Sequence, residues 1–487
     1  MFQPSLTDPY NAQRFTRPED RRRATEPVQA PPAGSGAGQT GYDSTGVIAR
    51  QRRARKKPGS PHPLPHAGAV LLPPPQPTVR SAPQTAARNT YANVYRPSDA
   101  PLRRPLPVET DPFDAVGVRV GEFLLRPAIE VGYGMDSNPN RTPSGPRSNF
   151  YQILPELQAR SLWSRHEVSA VLRGSYTGYD TLSSANRPTA DGRINGRLDA
   201  TRDLRFDGEG RFSIGTDNPG SPNLQAGLAR LPIYHTIGAS VGAAQRFNRL
   251  DLAVKASLDR TEYQDSELVD GSRVSNQDRN YTQYRIQTRA SYEFSPGLKP
   301  FVEMDVDKRK HDEACTCDTI DRSSQAYTPK AGVTFELLKR LNGEVSVGYT
   351  TRDYVSPDLE TLRGWVLDSS LIWIATGLTT VTLSANSRVD ETVVAGVSGT
   401  LRRDVGLQVD HAFRRWLVGT VKVGYGMDDY VGLDRLDKRT SLAAIITYKM
   451  TREFWLKGEF RQEWLRSNTT GVDYDASIFL VGMRIQR

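Results

Sequence analysis

From residue 121 to the end of the chain, apolar and polar residues alternate with a period of two. Tyr284, Ile286, Thr288, Ala290, Tyr292 and Phe294 fall on one face of an extended segment, with Arg285, Gln287, Arg289, Ser291 and Glu293 on the other. Strand side chains point to opposite faces in turn, so this stretch predicts a strand and fits no helical period. A Ser295-Pro296-Gly297 turn follows, after which Val302, Met304 and Val306 alternate with Glu303, Asp305 and Asp307. The pair reads as one long hairpin. The same pattern recurs at 121–134, 151–159 with 168–176, 194–200 with 204–214, 237–243 with 250–258, 333–337 with 345–349, 365–375 with 381–385, 405–409 with 417–425, 442–448 with 454–460, and 479–485. The total is about eighteen strands, sixteen to eighteen once the uncertainty of strand boundaries is counted.

Connection length supplies a second regularity. Tight turns at Ser164, Arg202, Asn248, Pro296, Lys339, Gly377, Arg414 and Thr451 alternate with longer polar loops near Asn138, Ser184, Pro219, Asp270, Cys315, Pro357, Glu391, Asp434 and Thr469. Bacterial outer-membrane barrels have this asymmetry, with short periplasmic turns and longer external loops. A soluble sandwich also alternates, so period two alone does not say which face is inside. Aromatics at the strand ends favour the membrane: Tyr133, Tyr176, Tyr349 and Tyr425 lie near the loops, and Trp163, Phe206, Phe247, Phe294, Trp373, Phe413 and Phe454 near the turns. Such belts mark the two membrane interfaces. The expected fold is therefore all-β, a transmembrane antiparallel up-and-down barrel over residues 115–487.

Composition adjusts this picture at the N-terminus. Residues 1–114 hold 16 Lys/Arg against 9 Asp/Glu, and the remainder 48 against 46, so the net charge of +9 belongs mostly to the first segment. With Arg21-Arg22-Arg23, the cluster Arg52 to Lys57 and Pro73-Pro74-Pro75, that segment shows no apolar periodicity and is expected to be a disordered basic tail. It lacks interleaved aromatics or a folded module, which argues against nucleic acid and for a solvated tail that meets cell-wall or periplasmic partners. No apolar run reaches the length of a membrane-spanning helix, and the start shows no basic region followed by an apolar one, so no secretory signal is visible.

The segment Gly121-Glu-Phe123-Leu-Leu125-Arg-Pro127, followed by Gly132-Tyr-Gly134-Met-Asp136-Ser-Asn138-Pro139, resembles the opening of the putative β-barrel porin type 2 family of Gram-negative outer membranes. The hairpin string is similar to that family through to Arg487. The resemblance implies an outer-membrane barrel in contact with lipid, assembled by the outer-membrane assembly machinery, with no established reaction and hence no catalytic residues to carry over.

Candidate chemistry lies on the polar face. Arg126, Glu130, Arg160, Arg173, Arg193, Arg197, Arg211, Arg285, Arg289, Glu303, Asp305 and Lys422 are predicted to face a lumen that cannot be a dry core. Their mixed signs suit a hydrated channel for hydrophilic solutes, or ladders of cross-strand ion pairs that neutralise a structural or export-associated barrel. The arginines of strands two to five suggest a basic wall with a weak preference for anions. The loop holding His311, Cys315 and Cys317 offers metal-ligand types, but its spacing fits no standard site; a disulfide or free thiols are the alternatives. His166, His235 and His411 sit near strand ends, and Asp410 beside the last points to the opposite face, so no catalytic grouping is expected. No cofactor is implied.

Overall fold

The computed structural model describes residues 113–315, 320–337 and 340–487. The expected tail lies outside these residues except for Phe113 and Asp114, as do Cys317 and the Lys339 turn position.

The strands that make up the wall are β1 (Phe123–Asp136), β2 (Ser148–Ser161), β3 (Glu167–Tyr179), β4 (Arg187–Asp199), β5 (Leu204–Thr216) and β6 (Ile233–Phe247). They continue as β7 (Leu250–Tyr263), β8 (Tyr281–Tyr292), β9 (Leu298–His311), β10 (Ser324–Leu337), β11 (Leu341–Tyr354) and β12 (Leu362–Thr376). The last are β13 (Thr379–Asp390), β14 (Gly399–Arg414), β15 (Leu417–Val431), β16 (Arg435–Lys449), β17 (Phe454–Ser467) and β18 (Tyr474–Gln486). Each pairs antiparallel with its neighbours in sequence, and β1 pairs with β18 from Ala128↔Gln486 to Asp136↔Ile478. The sheet closes on itself, so no edge strand is left with unpaired backbone groups, as a hydrocarbon environment requires.

The burial pattern is inverted relative to a water-soluble sandwich. In β1, Ile129, Val131 and Tyr133 are exposed while Glu130 and Asp136 are buried. In β8, Tyr284 and Ile286 are exposed while Gln283, Gln287 and Arg289 are buried. Buried polar residues outnumber buried apolar ones among the described residues. This arrangement is stable only if the outer face meets hydrocarbon, since burying an apolar face is otherwise the main driving force for folding. Tyr133, Tyr176, Tyr349 and Tyr425 are exposed at one end, and Trp163, Phe206, Phe247, Phe294, Trp373, Phe413 and Phe454 at the other. The two expected belts are present.

The turns and the loops open on opposite ends. The Asn248-Arg249 turn needs two residues only because Asn248 adopts a positive φ of 55°, which matches hairpin twist. The loops of the other end cover 137–147, 180–186, 217–232, 264–280, 312–323, 355–361, 391–398 and 468–473. One expectation needs correcting: the connection at Asp434, 432–434, is as short as the turns. It packs against its neighbour, since a Cβ on Gly432 would lie 2.5 Å from the Gly396 carbonyl oxygen.

Four small apolar clusters face inward among the described residues: Phe150 with Tyr179, Ile478 and Leu480; Tyr234 with Tyr263 and Tyr281; Leu362 with Val389 and Leu401; and Ala244 with Ala253. The first three lie toward the loop end. They form the seats on which the loops rest.

Candidate functional site: the charged interior and its loop-end mouth

All twelve predicted lumen residues stand at inward positions of their strands, as the period-two alternation requires. Most are brought together as pairs. Lys457 bonds Glu130 at 2.9 Å, and Arg484 bonds Glu156 at 2.6 Å with Arg173 3.5 Å from the same carboxylate. Arg160 lies 3.4 Å from Glu167, Arg193 lies 3.8 Å from Glu209, and Arg197 lies 3.3 Å from Asp199. Arg211 bonds both Glu209 and Asp259, at 3.0 and 2.5 Å. Arg285 stands 4.0 Å from Asp305. Arg289 bridges Glu303 on β9 and Glu344 on β11, at 3.6 and 2.8 Å. Arg126 is half-buried, and Lys422 is buried opposite Gln408.

The basic wall is therefore interleaved with acids along its length. The charge of Arg173, Arg193 and Arg197 is met within 4 Å by carboxylates of the same or the next strands. Little uniform field remains from this wall alone.

The mouth is built by residues that sequence reasoning missed. The loop 217–232, between β5 and β6, reaches the loop 391–398, between β13 and β14, from the far side of the barrel. There the Asn223 side-chain carbonyl accepts hydrogen bonds from the Thr392 hydroxyl at 2.9 Å and the Val393 N–H at 3.1 Å. At its own root, Asp217 accepts from Arg279 of the 264–280 loop at 2.6 Å, with both side chains buried. The guanidinium of Arg279 also lies over the Tyr263 ring, 4.1 Å from its centroid. From β9 and the following loop, Arg309 binds Glu391, and Arg322 donates to the carbonyls of Val394, at 3.4 Å, and Val397.

Burial alone would raise the Glu391 carboxyl, but Arg309, His311 and Arg352 outweigh it and hold the group at about 2, below its ordinary 4.5. The clasp is thus charged at neutral pH. A second contact draws 217–232 toward 137–147: Gly220 has a φ of +77°, and a Cβ there would lie 2.5 Å from the Arg141 carbonyl oxygen.

The remaining candidates separate. His311 is buried at the end of β9, its backbone N–H donating to the Ser323 hydroxyl at 3.1 Å. Cys315 is disulfide-bonded, and the sequence has one other cysteine, Cys317, outside the described residues. That bond takes the Cys315 sulfur out of the thiolate form a metal needs. Among the described residues no group of His, Cys, Asp and Glu gathers as a metal site. His235 pairs with Glu262 at 2.9 Å and His411 with the Thr379 hydroxyl at 2.9 Å, while Asp410 is buried on the opposite face.

The sequence pattern of the family described as Putative beta-barrel porin 2 matches residues 111–487. The chain belongs to that family. Its barrel is accordingly a porin-family barrel of the Gram-negative outer membrane, with no catalytic residues to inherit. No curated protein matches the sequence. Solved structures similar to it include a BenF-like porin from Pseudomonas fluorescens Pf-5, at 10% identity over 76% of this chain and 100% of that one, with a TM-score of 0.40. The outer membrane protein opdK from Pseudomonas aeruginosa is similar at 11% identity over 74% and 98%, with a TM-score of 0.37. The siderophore receptor PirA from Acinetobacter baumannii is similar at 8% identity over 74% and 80%, with a TM-score of 0.38. The family match and the inverted barrel carry the assignment.

Proposed function

We propose that this porin-family barrel passes small hydrophilic solutes passively across the outer membrane, through the interior lined by the twelve residues from Arg126 to Lys422. The observation that carries the reading is the inverted face pattern: charged side chains fill the inner wall of a barrel of a size that leaves an aqueous path in porins. The clasp of 217–232 on 391–398 narrows the loop end, so passage is selected there by size. The interleaved acids leave only a weak preference for anions, which Arg173→Glu with Arg197→Glu reduces further.

The second reading, a non-conducting structural or polysaccharide-export-associated barrel, is favoured by the same clasp if it is permanent. Liposome swelling with neutral sugars of graded size separates the two. Swelling that falls steadily with solute size supports passive diffusion; absence of swelling with the smallest sugar, from folded protein, supports the second.

A further inference from the structure

We propose that a cavity inside the loop end of the barrel, against the wall formed by β2–β4 and β15–β18, is a binding site for small hydroxylated carboxylates. The inference rests on the channel reading above and names a solute class for it. The cavity measures about 140 Å³ and lies beneath the roots of loops 137–147 and 217–232.

Two residues that line this space each carry a buried polar atom without a protein partner. Gln152 is 1% exposed; its amide nitrogen donates to the Thr177 hydroxyl at 3.1 Å, and its carbonyl oxygen is unsatisfied. The Nε–H of Arg187, on the neighbouring stretch of β4, is buried and equally unsatisfied. A buried polar atom favours any group that hydrogen-bonds it, so a ligand that reaches both, after a small rotation of the two side chains, is recognised by each.

Arg187 is also the least neutralised cation here. Arg141 is held by Asp136 at 2.9 Å and Glu463 at 2.8 Å, whereas Arg187 has the Tyr179 phenol and, at 4.0 Å, Asp136. An incoming carboxylate is the acceptor that suits a guanidinium. Between Arg187 and Gln152 the cavity is walled by hydroxyl side chains, Thr177 among them. A ligand hydroxyl both donates and accepts, so it meets Gln152 whichever way the amide is turned.

Size narrows the class. The space is close to the roughly 150 Å³ that holds benzene, which is room for about seven non-hydrogen atoms, as in a three- or four-carbon hydroxy acid.

The test uses the purified full chain in detergent micelles and ligand-observed NMR titration with glycerate, propionate and glycerol at millimolar concentrations. Glycerate is expected to bind saturably, with propionate and glycerol each about tenfold weaker, because each lacks one of the two recognised groups. Arg187→Gln weakens glycerate by about tenfold. Gln152→Leu removes the preference for glycerate over propionate. Thr177→Val, checked with the others for heat-modifiable gel mobility, repeats the second result if Arg187→Gln fails to fold. Equal binding of all three probes, no saturable glycerate binding, or binding indifferent to every substitution overturns the proposal and leaves ordered water as the occupant. Sugar-driven liposome swelling without glycerate binding sinks this inference alone; glycerate binding without swelling sinks the channel reading alone.

Discussion

Replacing Val241 by Arg tests the lipid-facing assignment more sharply than any lumen mutation. Val241 is 68% exposed on β6 and lies one residue from the middle of that strand. A strand rising about 3.3 Å per residue and tilted by about 45° advances about 2.4 Å along the membrane normal per residue, so Val241 lies about 2 Å from the midplane. An outward Arg at that depth costs about 2–4 kcal/mol. Val254, on β7, lies two to three residues from its strand's middle, and Val254→Arg is expected to cost about half as much because the penalty falls toward the interfaces. Val269 is the control: it is 77% exposed but belongs to the 264–280 loop, where the same change costs under about 0.5 kcal/mol. Refolding titrations into phospholipid vesicles read all three. In a soluble barrel all three sites would face water and the costs would be equal and near zero. That outcome would refute the reasoning, however well the protein folded.

Three further changes probe the interior and the mouth. Arg289→Met is expected to destabilise by about 3–5 kcal/mol in the same titration, because it leaves the buried Glu303 and Glu344 carboxylates without their shared cation. Arg197→Gln, at a side chain 35% exposed, should cost under about 1 kcal/mol. Asn223→Ala removes two hydrogen bonds of the clasp, worth together about 1–3 kcal/mol, and is expected to raise conductance and admit larger sugars in swelling assays; unchanged size exclusion would show that the clasp does not set the aperture. Acid should have a related effect. The Glu391 carboxyl is depressed to about 2 from 4.5, so its contribution is fully present above pH 4.5 and is lost as pH falls through about 2. Proteolysis of the 391–398 loop should increase across that window in the wild type and show no such step in Glu391→Gln.

The wall of the barrel could be read from the sequence because each strand carries its own evidence: alternation at Tyr284–Tyr292 fixes which residues share a face, and the aromatic belts with the turn and loop asymmetry decide which face is inside. The same rule puts Arg309 on the face of Glu303, and Arg352, Arg388 and Asp404 on the inner faces of their own strands. Pairing across strands was less legible. Arg289 meets Glu344 across two intervening strands, a distance that depends on side-chain reach and barrel curvature. The mouth was not legible at all. Asn223 and Thr392 are ordinary loop residues, 169 positions apart, and nothing periodic marks them. The cavity is lined by residues of β1–β4 and β15–β18 together with Asn218 and Pro219 of the 217–232 loop, which is a property of the assembled interior and not of any one strand. Gly426 shows the same limit: a Cβ there would lie 2.5 Å from Arg439 and 2.6 Å from Asp404, so its absence makes room for an ion pair that the local sequence does not announce.

Single-channel recording in planar bilayers, with the purified full chain reconstituted from detergent, tests the central claim most directly. The account predicts discrete conductance steps in simple salt, a reversal potential displaced weakly toward anions, and larger steps from Asn223→Ala. Protein that is heat-modifiable and inserted, yet gives no steps in either form, would contradict it.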